Sequence, residues 1–525
     1  MSFKEINELR KAGKFSEAHN MAVSALENEP DNIWNRRAYA WVIYEFIKAN
    51  TDSDKLTSFF EWLDKAKNLN PKIDSDAYRS ESEFLSLSAS PSLPHSDTMV
   101  FDSIAFQIGK VARELSLQNQ SGNRSLLHLF NIIKQFNFSK PSDGYSFILK
   151  SFLKGLKETA HFKEFADWWG FANLRPEDFK PEVFQGREIM ALAEQLYIAY
   201  SKALLKGEQS EHNGFVMHNI INIGHIESFL PDLDKIISNH PDYTYPLYFK
   251  AKLLLAIGKR DEAVQEYLPF ARHKQNDFWV WELLAELQAD DNNKLACYCK
   301  ALTCTSPPKF LVAIKEKLSA LLIKMGMLVE ASIEIYDTIR VKQENQYRIS
   351  QTLHNWTAQE WYRQPEEQQT NRILYFKHKT IAEELLFADI PIETIAIEFV
   401  NTTKKMANFV KNKTFSGFFK YDNHFKSLAI GDVLNVRLKH VNDNFYQLLT
   451  ATKLPAGSSC EAIKSFNAPI EMKQGNTFGF ADRVFIHPDT ISRHKIANNQ
   501  TISGNAILSF NKSKNEWGWK AFVIN

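Results

Sequence analysis

Residues 476–487, NTFGFADRVFIH, place two short aromatic runs, FGF and VFIH, only two residues apart. If the two runs are paired strands, alternation puts Phe478 and Phe480 on one face, and Phe485 and His487 on one face. That face is either part of a hydrophobic core or an exposed surface on which bases can stack. The choice between the two decides how the C-terminal part of the chain is interpreted.

The sequence around this segment has the composition of short β-strands. From Ile392 onward, β-branched and aromatic residues alternate, and the turns between them carry Asn, Asp and Gly. Five strands are predicted within about 60–70 residues, and the pattern then repeats once. This rhythm predicts two small all-β barrels of the OB type, at 389–456 and 458–525.

The second barrel resembles a cold-shock domain. That family has strands of the form K-W-F-N, K-G-F-G-F-I and V-F-V-H, and this chain has KSFN at 464–467, NTFGFA at 476–481 and VFIH at 484–487, in the same order. The resemblance implies that single-stranded bases stack on the rings of Phe478, Phe480, Phe485 and His487. It also implies that the phosphates are neutralised by Lys464, Lys473, Arg483 and Lys495.

The chain departs from the cold-shock pattern at several positions. Ser465 stands where the family has Trp, and Asn476-Thr477 stands where it has Lys-Gly. The loop APIEMKQG is longer than the family's, and the next connection is only Asp482-Arg483. Two alternatives stay open: Phe480 and Phe485 belong to the core of a structural or protein-binding barrel, or the neighbouring barrel covers their face.

The first barrel is a looser match to S1-like or cold-shock-like OB domains. Its aromatic residues Phe415, Phe418, Phe419 and Tyr421 lie among several lysines. Alternation places Phe415 opposite Phe418 unless Gly417 forms a bulge, and some of these rings must fill the barrel. We expect Phe418 and Lys420 to contribute to nucleic-acid binding.

The N-terminal three quarters of the chain carry a repeated helical motif. GKFSEA begins at Gly13, GKRDEA at Gly258 and GMLVEA at Gly326. These segments resemble the tetratricopeptide repeat, in which Gly ends one helix and the small Ala lets the next helix pack closely. The resemblance implies an all-α solenoid that binds a protein or peptide. We predict repeats at 1–83 and 212–345, a linker at 84–97, divergent repeats at 98–211 and a helical cap or connector at 346–388.

Composition and charge are those of a soluble multidomain protein. Of 525 residues 44% are hydrophobic, and no apolar run is long enough to span a membrane. Residues 393–525 carry 17 Lys and Arg against 10 Asp and Glu, a net charge of +7, whereas the remainder carries −6. A basic C-terminal part suggests an anionic partner. Four Cys and no visible signal peptide favour the cytoplasm, and Cys297, Cys299 and Cys304 are expected to be buried helix residues rather than metal ligands.

Catalytic sequence motifs are absent. The chain contains no G-x-x-x-x-G-K-S/T, G-x-S-x-G or H-E-x-x-H motif. We therefore predict a non-enzymatic adaptor without cofactor or metal, which binds single-stranded RNA or DNA, RNA in the first instance, and a protein partner. The alternatives are a pure protein scaffold and an accessory nuclease component of a bacterial conflict system, which the combination of repeats and barrels resembles. Partner identity, base preference and oligomeric state stay open.

Overall fold

The fold was analysed in a computed structural model, which describes residues 3–69, 100–118, 120–207, 211–212, 215–216, 220–366, 368–511 and 513–525. The chain forms two compact units, residues 1–267 and 268–525. The predicted linker at 84–97 lies outside the described residues. In the part of the chain that is described, no helix has both the length and the apolar character needed to cross a membrane.

The first unit is built mainly from helices. Their bounds are α1 Phe3–Lys11, α2 Phe15–Asn28, α3 Ile33–Ala49, α4 Leu56–Ala66, α5 Val100–Leu115, α6 Gln120–Ile133, α7 Asp143–Leu156, α8 Phe162–Trp169, α9 Leu192–Lys206, α10 Ile223–Asn239, α11 Pro246–Ala256 and α12 Arg260–His273. The division between the units falls within α12. Consecutive helices such as α1, α2 and α3 pack against each other.

The three Gly-x-x-x-Glu-Ala segments form the same helix–turn–helix structure. Gly13, Gly258 and Gly326 have φ of 77°, 82° and 76°. At Gly13 the glycine N–H donates to the Arg10 carbonyl at 3.0 Å and the next N–H donates to Leu9 at 3.0 Å, which is a Schellman cap. The bonds at the other two glycines follow the same pattern. The alanines of the motif are fully buried in the following helix: Ala18, Ala263 and Ala331.

Two short hairpins interrupt the helical pattern of the first unit. β1 (Glu182–Phe184) pairs with β2 (Arg187–Ile189), and β3 (Glu211–His212) pairs with β4 (Phe215–Val216). The sequence prediction of divergent helical repeats at 98–211 did not include them. The first hairpin turns at Gln185 and Gly186, which both have positive φ, as a two-residue hairpin turn requires.

The aromatic segment DWWGF, residues 167–171, packs between helices. Trp169 is fully buried and its ring stacks on Tyr145 at 5.1 Å between centroids. Pro176 and Asp178 open a short 3-10 turn, Pro176–Phe179, rather than a full helix. The carboxylate of Asp178 accepts from Ser146 and Arg175, which satisfies it inside the protein.

The second unit begins with a smaller set of helices. They are α13 Phe278–Leu287, α14 Asp291–Thr303, α15 Pro308–Lys324, α16 Leu328–Glu344, α17 Gln351–Thr357 and α18 Arg372–Leu386. Cys297 and Cys299 are buried in α14, and burial raises the pKa of both thiols, so they stay protonated at neutral pH. Cys304, at the end of α14, is half-buried.

The first barrel is closed. Its strands are β5 Glu393–Asn401, β6 Met406–Val410, β7 Ser416–Lys420, β8 Val433–Asn442 and β9 Phe445–Lys453, in the order β5-β6-β7-β9-β8. Its core contains Phe409, Phe419 and Tyr421 together with aliphatic residues of β5, β6, β8 and β9. This is the predicted small β barrel.

The second barrel has five strands and one short helix. The strands are β10 Ile463–Pro469, β11 Gly479–Ala481, β12 Val484–Ile486, β13 Thr501–Asn511 and β14 Glu516–Ile524, in the order β10-β13-β14-β12-β11. The two edges of this sheet meet through a pair of hydrogen bonds between Glu471 and Phe480. Helix α19, Pro488–His494, follows β12. Helices followed by two small barrels confirm the predicted fold class.

The two barrels pack against each other. Their shared apolar cluster includes Ala396 and Val433 of the first barrel and Ile507 and Leu508 of the second. The Ser509 hydroxyl adds a hydrogen bond, donating to Glu398 of the first barrel at 2.5 Å. The barrels therefore form one continuous structure. The strand faces at their contact are covered, and other strand faces stay outside it.

We predict that Gly258→Ala destabilises the helical unit by about 1–2 kcal/mol, because an L-residue is strained at a left-handed φ. Denaturant titration followed by far-ultraviolet circular dichroism measures this loss. Gly224→Ala is the matched control, since Gly224 is an exposed helical glycine with ordinary φ and room for a methyl group. Equal stabilities of the two variants would contradict the proposed role of the glycine cap.

Candidate nucleic-acid interface

The hairpin of β11 and β12 answers the question raised by the segment NTFGFADRVFIH. Its turn consists of Asp482 and Arg483, with φ of 50° and 61°, the signs that a type I′ turn needs. This turn pairs Phe480 with Phe485 across the hairpin. Val484 and Ile486 point into the core and are fully buried. The phenylalanine rings therefore lie on the outer face, and the core interpretation of Phe480 and Phe485 is wrong.

The outward rings form one cluster, which we call the aromatic platform: Phe478, Phe480, Phe485 and His487. Ring centroids of the three phenylalanines are 5.6–6.0 Å apart, and His487 lies 6.3 Å from Phe485. Phe480 is 42% exposed. Aromatic rings at this spacing, with their faces partly open to solvent, can receive stacked bases.

Gly479 lets the platform strand lie close to the barrel interior. A Cβ at this position would come within 2.7 Å of Ile470 and 2.8 Å of Met472. The lack of a side chain therefore matters on the inner side of the strand, where Ile470 and Met472 lie. Only glycine permits Phe478 and Phe480 to flank this point without displacing the strand.

His487 is held in place by the start of α19. It is the N-cap residue of the helix, and its Nδ1 accepts a hydrogen bond from the backbone N–H of Asp489 at 3.2 Å. A cap of this kind satisfies one of the free N–H groups at the helix start. The ring of His487 is thereby fixed at the end of the platform.

The predicted basic residues occupy different environments. Lys464 donates to the Asp482 carboxylate at 3.0 Å and to its carbonyl at 3.2 Å, so its charge is partly neutralised. Arg483 is exposed at the turn and lines a groove beside the platform. Lys473 and Lys495 are exposed on loops, and neither lines that groove.

A groove of about 430 Å³ adjoins the platform. Its walls include Phe478, Phe480 and Phe485, and its other side is formed by β13 and β14. Sequence reasoning missed the contributions of Gly518, Trp519 and Lys520. The WGWK pattern was visible in the sequence as part of a strand. Its place beside the platform was not, because Lys520 lies next to Phe485 only through the parallel pairing of β14 with β12.

The first barrel presents a smaller outward pair. Phe418 on β7 lies 5.5 Å from Phe445 on β9, whereas Phe419 and Tyr421 are buried. The register of β6 and β7 is regular at Gly417, so strict alternation separates Phe415 from Phe418. Lys420 is exposed and forms an ion pair with Asp422 at 3.1 Å. Phe445 was not identified from the sequence.

Within the described residues, no group of three or more His, Cys, Asp or Glu side chains is placed to hold a metal ion.

Comparison with known proteins identifies both barrels. Residues 387–447 match the family model of S1/CSD-like domain 1 of the TOTE conflict systems, and residues 464–524 match that of S1/CSD-like domain 2. Residues 244–382 match a domain of unknown function (DUF7017). The predicted S1-like and cold-shock-like resemblance of the C-terminal part is thus confirmed.

Other comparisons add less. The chain is similar to the solved TPR domain of P58(IPK), with 13% identity over 74% of this chain and 97% of that one, at a TM-score of 0.17. A score this low carries no structural argument. The comparison with curated proteins found no match.

We predict that Phe480→Ala lowers the free energy of unfolding by about 1 kcal/mol, because the substitution removes only contacts between rings that are themselves partly exposed. Ile486→Ala, on the same hairpin but in the core, should cost about 2–5 kcal/mol. Calorimetric melting of the two variants compares them directly. If Phe480→Ala were as destabilising as Ile486→Ala, the platform would be part of the core.

Proposed function

We propose that this protein is a non-enzymatic adaptor. Its C-terminal barrels bind single-stranded nucleic acid, RNA in the first instance, and its helices bind a protein or peptide partner. The observation that carries the proposal is the aromatic platform, whose four rings lie outside the core of the second barrel. Stacking on such rings contributes roughly 1–3 kcal/mol per base and requires no particular base.

Packing between the barrels leaves the platform open. The interface cluster draws on other parts of the second barrel, including Cys460, Ile507 and Leu508, with Trp517 and Phe522 packed against it. None of the four platform rings belongs to that cluster of described residues. Docking of the first barrel therefore does not compete with stacked bases, which supports a binding function over a purely structural one.

Charge supports the same ligand. Arg483 and Lys520 line the groove beside the rings, and the segment 393–525 has a net charge of +7. Among the described residues, no carboxylate forms an ion pair with either side chain. Cations that are not already neutralised can contact phosphates, whereas Lys464 would first have to leave Asp482.

The choice of RNA rests on resemblance alone. The preference for RNA over DNA comes from the resemblance of the barrels to S1 and cold-shock domains. Their likeness to S1/CSD-like domains of TOTE conflict systems supports a role as a component of such a system. The absence of a catalytic sequence motif is the reason for proposing an adaptor rather than an enzyme. We propose that it works in the cytoplasm.

The helices offer a site for the protein partner. Between α1 and α3 lies a pocket of about 410 Å³ whose lining combines Trp34 and Trp41 with Arg10 and Arg37. The Arg10 guanidinium lies 5.3 Å from the centre of the Trp41 ring. Because Arg10 is also ion-paired with Glu45 at 2.8 Å, we propose this pocket as a peptide site on the strength of its aromatic rings and assign no charge to the partner.

We expect the full chain to bind a labelled single strand, and a Phe480→Ala/Phe485→Ala variant to bind at least about tenfold more weakly, since two stacking rings are lost. Fluorescence anisotropy with RNA and DNA of equal sequence measures both affinities and the RNA preference. Phe310→Ala is the control, because Phe310 is an exposed helical ring, 55% exposed, in the same unit.

Three results would count against the proposal. Unchanged affinity in the double variant would show that bases do not stack on the platform. Failure of the full chain to bind at low salt would favour a protein scaffold. Metal-dependent cleavage of the probe would instead indicate a nuclease.

A second expectation concerns salt. Arg483→Gln should reduce the slope of log affinity against log salt by about 0.7, the value for one phosphate contact on a single strand. Lys235→Gln, which removes an exposed helical cation from the first unit, should leave the slope unchanged. Anisotropy titrations at several salt concentrations give both slopes; an unchanged slope for Arg483→Gln would remove this residue from the phosphate path.

A further inference from the structure

Gly518, the third residue of β14, has no structural reason to be glycine. Its φ lies outside the left-handed region, and no heavy atom lies within 4 Å of the Cβ that another residue would carry. The irregularity in β13–β14 pairing occurs at Asn505 and Ala506, not opposite Gly518. A glycine inside a strand marks a bulge, a bend or a place where a ligand or another backbone approaches closely. Here no bulge and no neighbouring backbone occupies the space.

The open space at Gly518 is continuous with the aromatic platform. Phe485 is paired with Lys520, and Gly518 follows on the same face of β14 because alternate residues share a face. Across the strands Gly518 is paired with Ser509, whose hydroxyl donates to Glu398 of the first barrel. We call the surface of β14 at Gly518 the floor of the groove. It extends from the platform rings to the edge of the first barrel.

The groove over this floor suits one nucleotide. Its volume of about 430 Å³ falls within the roughly 300–1,000 Å³ of small-ligand pockets. Phe478 and Phe485 supply aromatic surface for a base, and Lys520 and Arg483 supply cations for a phosphate. The mixture of rings and unpaired cations distinguishes the groove from an apolar docking surface.

We propose that this groove is a nucleotide subsite that extends the platform across β14. It takes one unstacked nucleotide of the bound single strand, with its base over Gly518 and its phosphate at Lys520 and Arg483. The proposal rests on the proposed function, since it assumes that a single strand lies on the platform. It assigns Gly518 the role of leaving room for the base.

Filling the groove tests the proposal. In the full chain, Gly518→Leu should lower the affinity for a short labelled RNA about tenfold, and Gly518→Ala should lower it less, because the side chain occupies the space meant for the base. Both substitutions suit a β-strand better than glycine, so the fold should be retained. Gly224→Leu, at an exposed helical glycine of the first unit, is the matched control.

Photo-cross-linking distinguishes contact at the Gly518 end of the groove from contact at β12, and the wild-type chain alone gives the first result. RNA containing 5-iodouridine should cross-link to the tryptic peptide 515–520, which holds Gly518 and Trp519, and to the platform peptide 484–493. Gly518→Leu should abolish the first cross-link and keep the second.

The possible results are distinct. Wild-type binding without a 515–520 cross-link, or with unchanged affinity in Gly518→Leu, would overturn the groove and leave the proposed function standing. Absence of binding by the wild-type chain would overturn both. Loss of the 515–520 cross-link together with weaker binding supports the subsite.

Discussion

The two-residue turn at Asp482 and Arg483 is the constraint on which the candidate interface depends. In a hairpin the side chains alternate, so a shift of one residue would exchange the inner and outer sets. The left-handed conformations of both turn residues fix the register that pairs Phe480 with Phe485. Lys464 holds the turn from a neighbouring strand by binding both the carboxylate and the carbonyl of Asp482. The conformation of this turn therefore decides both which side chains of the hairpin fill the core and which rings are exposed.

Strand β14 links this local geometry to the rest of the second unit. Its residue Phe522 packs at the contact with the first barrel, and a Cβ on Gly431 of that barrel would collide with its ring. Residues Gly518 and Lys520 of the same strand lie beside the platform. One strand thus contributes both to the packing between barrels and to the proposed nucleotide path, so the position of the first barrel and the shape of the groove are coupled.

Much of the site was predictable because its signals are local. The rings of Phe478, Phe480, Phe485 and His487 were identified from a segment of twelve residues, and the structure brings all four together. The ion pairs of the charged residues were not predicted from the sequence. Lys464 was expected to contact phosphate but is engaged by Asp482, because the choice of ion pair depends on which turn a strand faces. The hairpin of β1 and β2 was missed because its strands are only three residues long and lie between helices.

The sequence by itself determined the helix ends at Gly13, Gly258 and Gly326, the change from helices to strands, and the alternation that groups the rings of each aromatic run on one face. These features depend on residues within a few positions of each other, where backbone conformation and side-chain period decide the outcome. Only the tertiary structure decided that Lys520 lies beside Phe485, that Ser509 reaches the first barrel and that Gly518 has open space above it. Each of these placements depends on strands that are distant in sequence. The packing of the whole unit selects which of those strands pair.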